Sequence, residues 1–126
     1  MSTLDQDIAQ IIADTESRKL VWSRSTPTSF VCQKPLGPGQ IAQLSLQKVV
    51  QTRIGVLPGS PRSQRITTDN FIFQLTEKPR GLTRLVIHTQ QPQYAELRPQ
   101  FTVLFDKVSE NADREGLDFL RKVIEQ

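Results

Sequence analysis

Two stretches of the chain repeat apolar residues at helical spacing. Leu4, Ile8, Ile11, Ile12 and Thr15 stand at i, i+4, i+7, i+8 and i+11, one face of a helix with 3.6 residues per turn. Thr3-Leu4-Asp5-Gln6 just before them is a capping-box pattern, in which the Thr3 hydroxyl accepts from the Gln6 N–H and the Gln6 side chain reaches back. Asp5 and Asp7 then lie in the first turn, where carboxylates favour the positive end of the helix dipole. The pattern predicts a helix over 3–17 with an acidic polar face. Leu97, Phe101, Leu104, Phe105 and Val108 repeat the same spacing. Pro99 is tolerable only in a first turn, so this helix starts near Leu97 or Arg98. Leu117, Leu120, Val123 and Ile124 form a last stripe. Asn111-Ala112-Asp113 lies between the two stripes, with Asp113 a candidate N-cap, so the pattern fits one helix or two.

Between these ends the period is two. Lys19 to Arg24 reads as a strand with Leu20 and Trp22 on one face, followed by a turn at Ser25-Thr26-Pro27-Thr28 and a short strand at Ser29 to Cys32. Lys34-Pro35-Leu36-Gly37-Pro38-Gly39 signals a loop. Residues 40–57 carry glutamines at helical spacing (Gln43, Gln47, Gln51), but Ala42, Leu44, Leu46, Val50, Thr52, Ile54 and Val56 share even parity. The alternation and the β-branched residues from Val49 to Val56 predict one long strand, with a bulge near Lys48, the one charged residue in the even set. Leu57 to Arg65 is the most loop-like stretch and is expected to be mobile. Asn70 to Thr76 alternates Phe71, Phe73 and Leu75 against Ile72, Gln74 and Thr76. Glu77-Lys78-Pro79-Arg80-Gly81 then connects to a strand over Thr83 to Thr89.

Connections this short imply an antiparallel meander, because parallel strands need long crossovers. The predicted fold class is α+β: an N-terminal helix, a four- to five-stranded antiparallel meander and one or two C-terminal helices, in a single domain over 1–126. Phe71, Phe73, Leu75, Leu85 and Ile87 mark the core face of the sheet. Val49, Ile72 and Val86 fall on the other face, which must be covered by a second helical layer or by another copy of the chain. These three are the candidate oligomer-interface residues.

Composition narrows the function. At 126 residues the chain suits one domain. No apolar run exceeds three residues, so neither a membrane span nor a secretory signal is expected, and the expected location is cytoplasmic. Cys32 and His88 are the only residues of their kinds. An intrachain disulfide, a zinc sphere and a calcium loop all lack ligands. No glycine precedes a lysine, no Gly-x-Ser-x-Gly elbow occurs, and no carboxylate pair suits glycoside chemistry. No cofactor and no catalytic set is expected. Cys32 reads as a small buried hydrophobe, and the two PxxP matches read as turns.

Charge carries the remaining signal. Residues 1–17 hold four acids and no base, residues 18–68 eight bases and no acid, and the rest nine acids and eight bases. A stretch of 51 residues without a carboxylate attracts anions unless the acidic first helix lies against it and cancels it. In a meander, loops 25–28 and 57–69 share one end of the sheet. Arg24, Arg53, Arg62 and Arg65 are therefore the candidate anion-binding residues. The leading expectation is a small non-enzymatic binding module that engages a protein or anionic partner through this basic end, or that forms a homo-oligomer. The alternative is a weak, sequence-nonspecific nucleic-acid binder. It would contact phosphates and not bases, since Phe71 and Phe73 belong to the core.

Overall fold

The computed structural model describes residues 3–56, 58–59 and 62–126. Helix α1 (Leu4–Glu16) is followed by strands β1 (Trp22–Thr26), β2 (Ser29–Gly37), β3 (Gln40–Val56), β4 (Ser63–Lys78) and β5 (Leu82–His88), a 3-10 turn (Pro92–Leu97) and helix α2 (Arg98–Glu125). The strands form one antiparallel sheet in the order β1-β2-β3-β4-β5. The fold is α+β, as the periodicities require. Among the described residues no helix is long and apolar enough to cross a membrane.

The capping box at α1 is formed. The Gln6 N–H donates to Thr3 Oγ1 at 3.3 Å and the Thr3 N–H donates to Gln6 Oε1 at 3.1 Å. Both helices pack on one face of the sheet. Ile8 of α1 and Phe101, Leu104 and Val108 of α2 share a single core with Trp22, Phe30, Cys32, Leu44, Leu46, Phe71, Phe73 and Ile87. No second helical layer covers the opposite face among the described residues. There Ile72 lies between Gln47 and His88, and Val86 lies opposite Gln74.

Several boundaries move, for identifiable reasons. β1 starts at Trp22 instead of Lys19, because Leu20 is tied to α1 and α2: its N–H donates to the Asp14 carbonyl and its carbonyl accepts from Asn111. β2 runs on through Pro35, which pairs with Ile41. Beyond Cys32 no strand among the described residues lies on the other side of β2, so the missing N–H costs nothing there. α2 is one helix. Asn111 does not break it, because its side chain is engaged with β1 and α1, and Asp113 pairs with Arg24 instead of capping. No bulge occurs at Lys48, since pairing is unbroken from Ile41↔Lys78 to Val56↔Ser63. Lys48 keeps its core-side position by extending to Asp69 (3.4 Å) and over the Phe105 ring (5.4 Å).

The largest departure is in the expected loop. Ser63, Gln64 and Arg65 belong to β4 and pair with Val56, Gly55 and Ile54. Leu57, Ser60 and Pro61 lie outside the described residues. β2 stops pairing with β3 at Gln47, and β5 stops pairing with β4 at Ile72. Beyond that point β3 and β4 pair only with each other. The resulting two-stranded arm is about 27 Å long at ~3.3 Å per residue.

Candidate functional site

The four arginines chosen from sequence do not converge. The loops after β1 and β3 do share one end of the sheet, but the arm carries its tip far past the β1–β2 turn, where the Lys48 N–H donates to the Thr28 carbonyl. Arg24 stays behind on β1. It pairs with Asp113 at 3.1 Å, donates to the Pro27 carbonyl at 2.9 Å and stacks over Phe30. Arg53 and Arg65 are both exposed on the arm but face opposite sides, since Arg53 is opposite Ile66 and Arg65 opposite Ile54. Arg62 is exposed at the arm tip.

The acidic first helix does not cancel the basic stretch. Asp14 accepts from Gln10, and Glu16 pairs with Lys107 at 3.7 Å. The carboxylates that meet the basic residues come mainly from α2: Asp113 takes Arg24, and Glu115 and Asp118 take Arg18. Arg18 has φ 64°, a conformation that costs a non-glycine residue about 1 kcal/mol or more. From that position its Nη2 donates to both Glu115 and Asp118 of α2.

Arg53 instead lines a cleft together with Arg98, which sequence did not single out. A cleft of about 390 Å³ at the base of the arm is lined by Gln51, Thr52, Arg53, Thr68, Asn70, Gln90 and Arg98. It contains two guanidiniums and no carboxylate. Asn70, almost fully buried, organises its floor: Asn70 Oδ1 accepts from Thr89 Oγ1 at 3.0 Å and from Arg98 Nη2 at 3.1 Å, and its amide donates to Gln51 Oε1 at 2.9 Å. Arg98 Nε is buried without a hydrogen-bond partner in the protein. Chemically the cleft offers donors to an oxyanion. Arg98 could not be foreseen, because it comes to the same cleft as Arg53 only through the register of β3 on β4 and the turn that starts α2.

Cys32 and His88 are not a pair. Cys32 faces the core on β2, and burial pushes its thiol pKa up. His88 lies beside Ile72 on the other face, on β5, and its Nδ1 accepts from the Gln90 N–H. Among the described residues no cluster of three or more His, Cys, Asp or Glu is placed to hold a metal.

The most unusual surface is the end of α2. The helix crosses the sheet: Phe101 packs on Phe71 and Phe73 of β4, Phe105 on Phe30 of β2, and Asn111 bonds to Trp22 of β1. Those ten residues rise about 15 Å, matching three strand spacings of ~4.8 Å. The helix then overshoots β1, the edge strand. Leu117, Phe119, Leu120, Val123 and Ile124 are 51–72% exposed. Below the overhang lies a mainly apolar cleft of about 630 Å³ lined by Trp22, Ala112, Gly116, Leu117 and Phe119, with Ser23, Arg24, Asp113 and Glu115 also on its walls. The sequence stripe was visible, but periodicity cannot tell a stripe that meets a core from one that meets none. No protein-family model, no curated protein and no solved structure matches the chain.

Proposed function

We propose that this chain is a non-enzymatic binding module that docks another polypeptide on the overhanging half of α2. The observation that carries this reading is the exposure of five large apolar side chains on one helix. An exposed apolar patch of several hundred Å² marks an interaction site more often than an accident of packing. The arm adds Val50, Ile54 and Val56, at 53%, 80% and 67% exposure, on the face that the helices cover elsewhere. Leu120→Glu paired with Ile124→Glu tests the reading. Affinity capture followed by calorimetry with the purified partner should show binding to the parent chain and at least a hundredfold loss for the double variant. Equal binding by both removes the α2 tail as the docking surface.

A second reading has its own support in the cleft of Arg53 and Arg98 and in the arm above it, which holds Arg53, Arg62 and Arg65 and no acid between Lys48 and Asp69. On this reading the arm lies along a nucleic-acid backbone and contacts phosphates without reading bases.

A further inference from the structure

We infer that the cleft at the base of the arm binds a phosphomonoester of a small hydroxylated molecule, with the phosphate held between Arg53 and Arg98. This role is independent of docking on α2. It differs from the nucleic-acid reading in its ligand, a small molecule in place of a phosphodiester backbone.

The register of the arm builds the site. Gln51 of β3 stands opposite Thr68 of β4, and Val49 opposite Asn70. Opposed residues, and residues two apart on a strand, share one side of a sheet. Gln51, Arg53, Thr68 and Asn70 therefore face the same way. β5 ends at His88 beside Ile72, and the chain comes back to Asn70 with Arg98, the first residue of α2. The floor is set before a ligand arrives. Asn70 is 1% exposed. Its Oδ1 holds the Arg98 guanidinium at 3.1 Å, and its amide holds Gln51 Oε1 at 2.9 Å. With Oε1 engaged, the donors left on Gln51 are those of its Nε2.

The charge of the cleft is uncompensated. Neither Arg53 nor Arg98 is in an ion pair among the described residues. The acids close to the cleft in sequence are committed elsewhere. Asp69 lies on the other side of β4 and pairs with Lys48 at 3.4 Å. Glu96 lines a separate cleft with Leu4 and Tyr94, and the first turn of α2 holds no acid. Arg98 Nε is meanwhile buried with no partner. A fold seldom leaves a charged donor in that state unless an ion or water completes it. A second guanidinium on the same cleft makes the missing partner an anion.

Charge and size select the ligand. A phosphomonoester carries about −1.5 to −2 at pH 7, which matches two guanidiniums, and arginine bonds phosphate through paired N–H groups. A carboxylate or a phosphodiester brings one charge. The cleft holds about 390 Å³, within the ~300–1,000 Å³ of small-molecule sites, so the phosphate has room for a substituent. No aromatic ring lines it, and a nucleobase finds no stacking surface there. Thr68 and Gln90 offer hydrogen bonds to hydroxyl groups instead.

The test is titration calorimetry of the full chain in phosphate-free buffer with methyl phosphate, methyl sulfate, glycerol 3-phosphate and a short DNA duplex. Methyl phosphate should bind at least about tenfold tighter than methyl sulfate, which has the same tetrahedral head and one charge. Glycerol 3-phosphate should bind tighter still, with a dissociation constant below about 1 mM. Arg98→Gln and Arg53→Gln should each weaken it at least about tenfold. Arg53 is exposed on the arm and outside the core, so its variant keeps the test decisive if Arg98→Gln lowers the urea midpoint. In the parent chain the Arg98 Nε–H proton resonance should move when glycerol 3-phosphate is added. Equal affinity for methyl phosphate and methyl sulfate overturns the proposal, and so does unchanged binding by Arg53→Gln. Methyl phosphate and glycerol 3-phosphate of equal affinity overturn the hydroxylated substituent. A duplex that binds and is weakened by Arg53→Gln, with no binding of either phosphomonoester, overturns the small ligand and leaves the nucleic-acid reading standing.

Discussion

Asn111 accepts from the Trp22 N–H at 2.8 Å and donates to the carbonyls of Thr15 and Leu20 at 3.0 and 2.9 Å. It joins α2 to the end of α1 and the start of β1 in a buried place. Thr15 completes the joint by accepting from Trp22 Nε1 at 3.1 Å and donating to the Ile11 carbonyl. In sequence Asn111 looks like a helix breaker, because asparagine competes for local backbone groups. In the fold that capacity is spent on distant partners, and the helix continues. Asn111→Leu leaves one backbone donor and two carbonyls unpaired and should cost about 3 kcal/mol in urea unfolding. A loss under 1 kcal/mol would mean that water or neighbours take over its bonds. Glu77 gives a second residue-scale prediction. Its hydrogen bond from Arg84 comes first, with one from Gln40 after it, and together they hold its pKa below the ordinary glutamate value. A carboxylate with a lowered folded pKa contributes stability above its unfolded pKa and loses it as pH falls through the folded value. Arg84→Gln should therefore raise the Glu77 midpoint in a carboxyl-carbon NMR titration. An unchanged midpoint would show that the pair is open in solution.

Among elements, α1 and the β3–β4 arm stand at opposite extremes. α1 buries Ile8 and Thr15, packs Leu4, Ile11 and Ile12 on the core, and ends on the Asn111 joint. Deleting residues 1–17 should abolish cooperative thermal unfolding, because Trp22 and Leu104 lose the cover on one side. Unchanged unfolding would make α1 a detached arm. The arm contributes little to the core, since Val50, Ile54 and Val56 remain exposed. Its strands explain why sequence read a loop there. Ser63 to Asp69 lies over no core on either face, so no alternation was selected, and the pairing comes from β3 alone. In β3 the alternation runs to Val56, well past the last core residue, Leu46, and so the full strand was legible.

At the scale of the whole molecule, the charge map and the fold reach different conclusions about the same residues. The basic stretch 18–68 is real, but the fold divides it. Arg18 and Arg24 are drawn to the carboxylates of α2, and Lys48 to Asp69. Arg53, Arg62 and Arg65 are carried out on the arm. If the arm binds a duplex, three phosphate contacts give a slope of log K against log[salt] near −2.7 at ~0.9 per contact. Arg53→Ala with Arg65→Ala should lower the slope by about 2, and Arg24→Ala should leave it unchanged. Fluorescence anisotropy with a labelled duplex across a salt series measures both. No binding at low salt ends the nucleic-acid reading.

The sequence by itself determined what local chemistry controls. It determined the capped first helix, the start of the last helix near Leu97 or Arg98, the α+β class, the antiparallel meander and the core parity of Phe71, Phe73 and Ile87. Each follows from a few neighbouring residues or from a period that burial imposes on them. The tertiary structure decided what depends on partners distant in the chain. Arg98 shares a cleft with Arg53 across 45 residues of sequence, and Arg18 meets Glu115 across 97. The stripe at Leu117 to Ile124 has a helical period in either setting. The fold sets Leu117, Leu120 and Ile124 on the side of α2 turned away from Phe101, Leu104 and Val108, and carries that side past the β1 edge, so the stripe faces solvent.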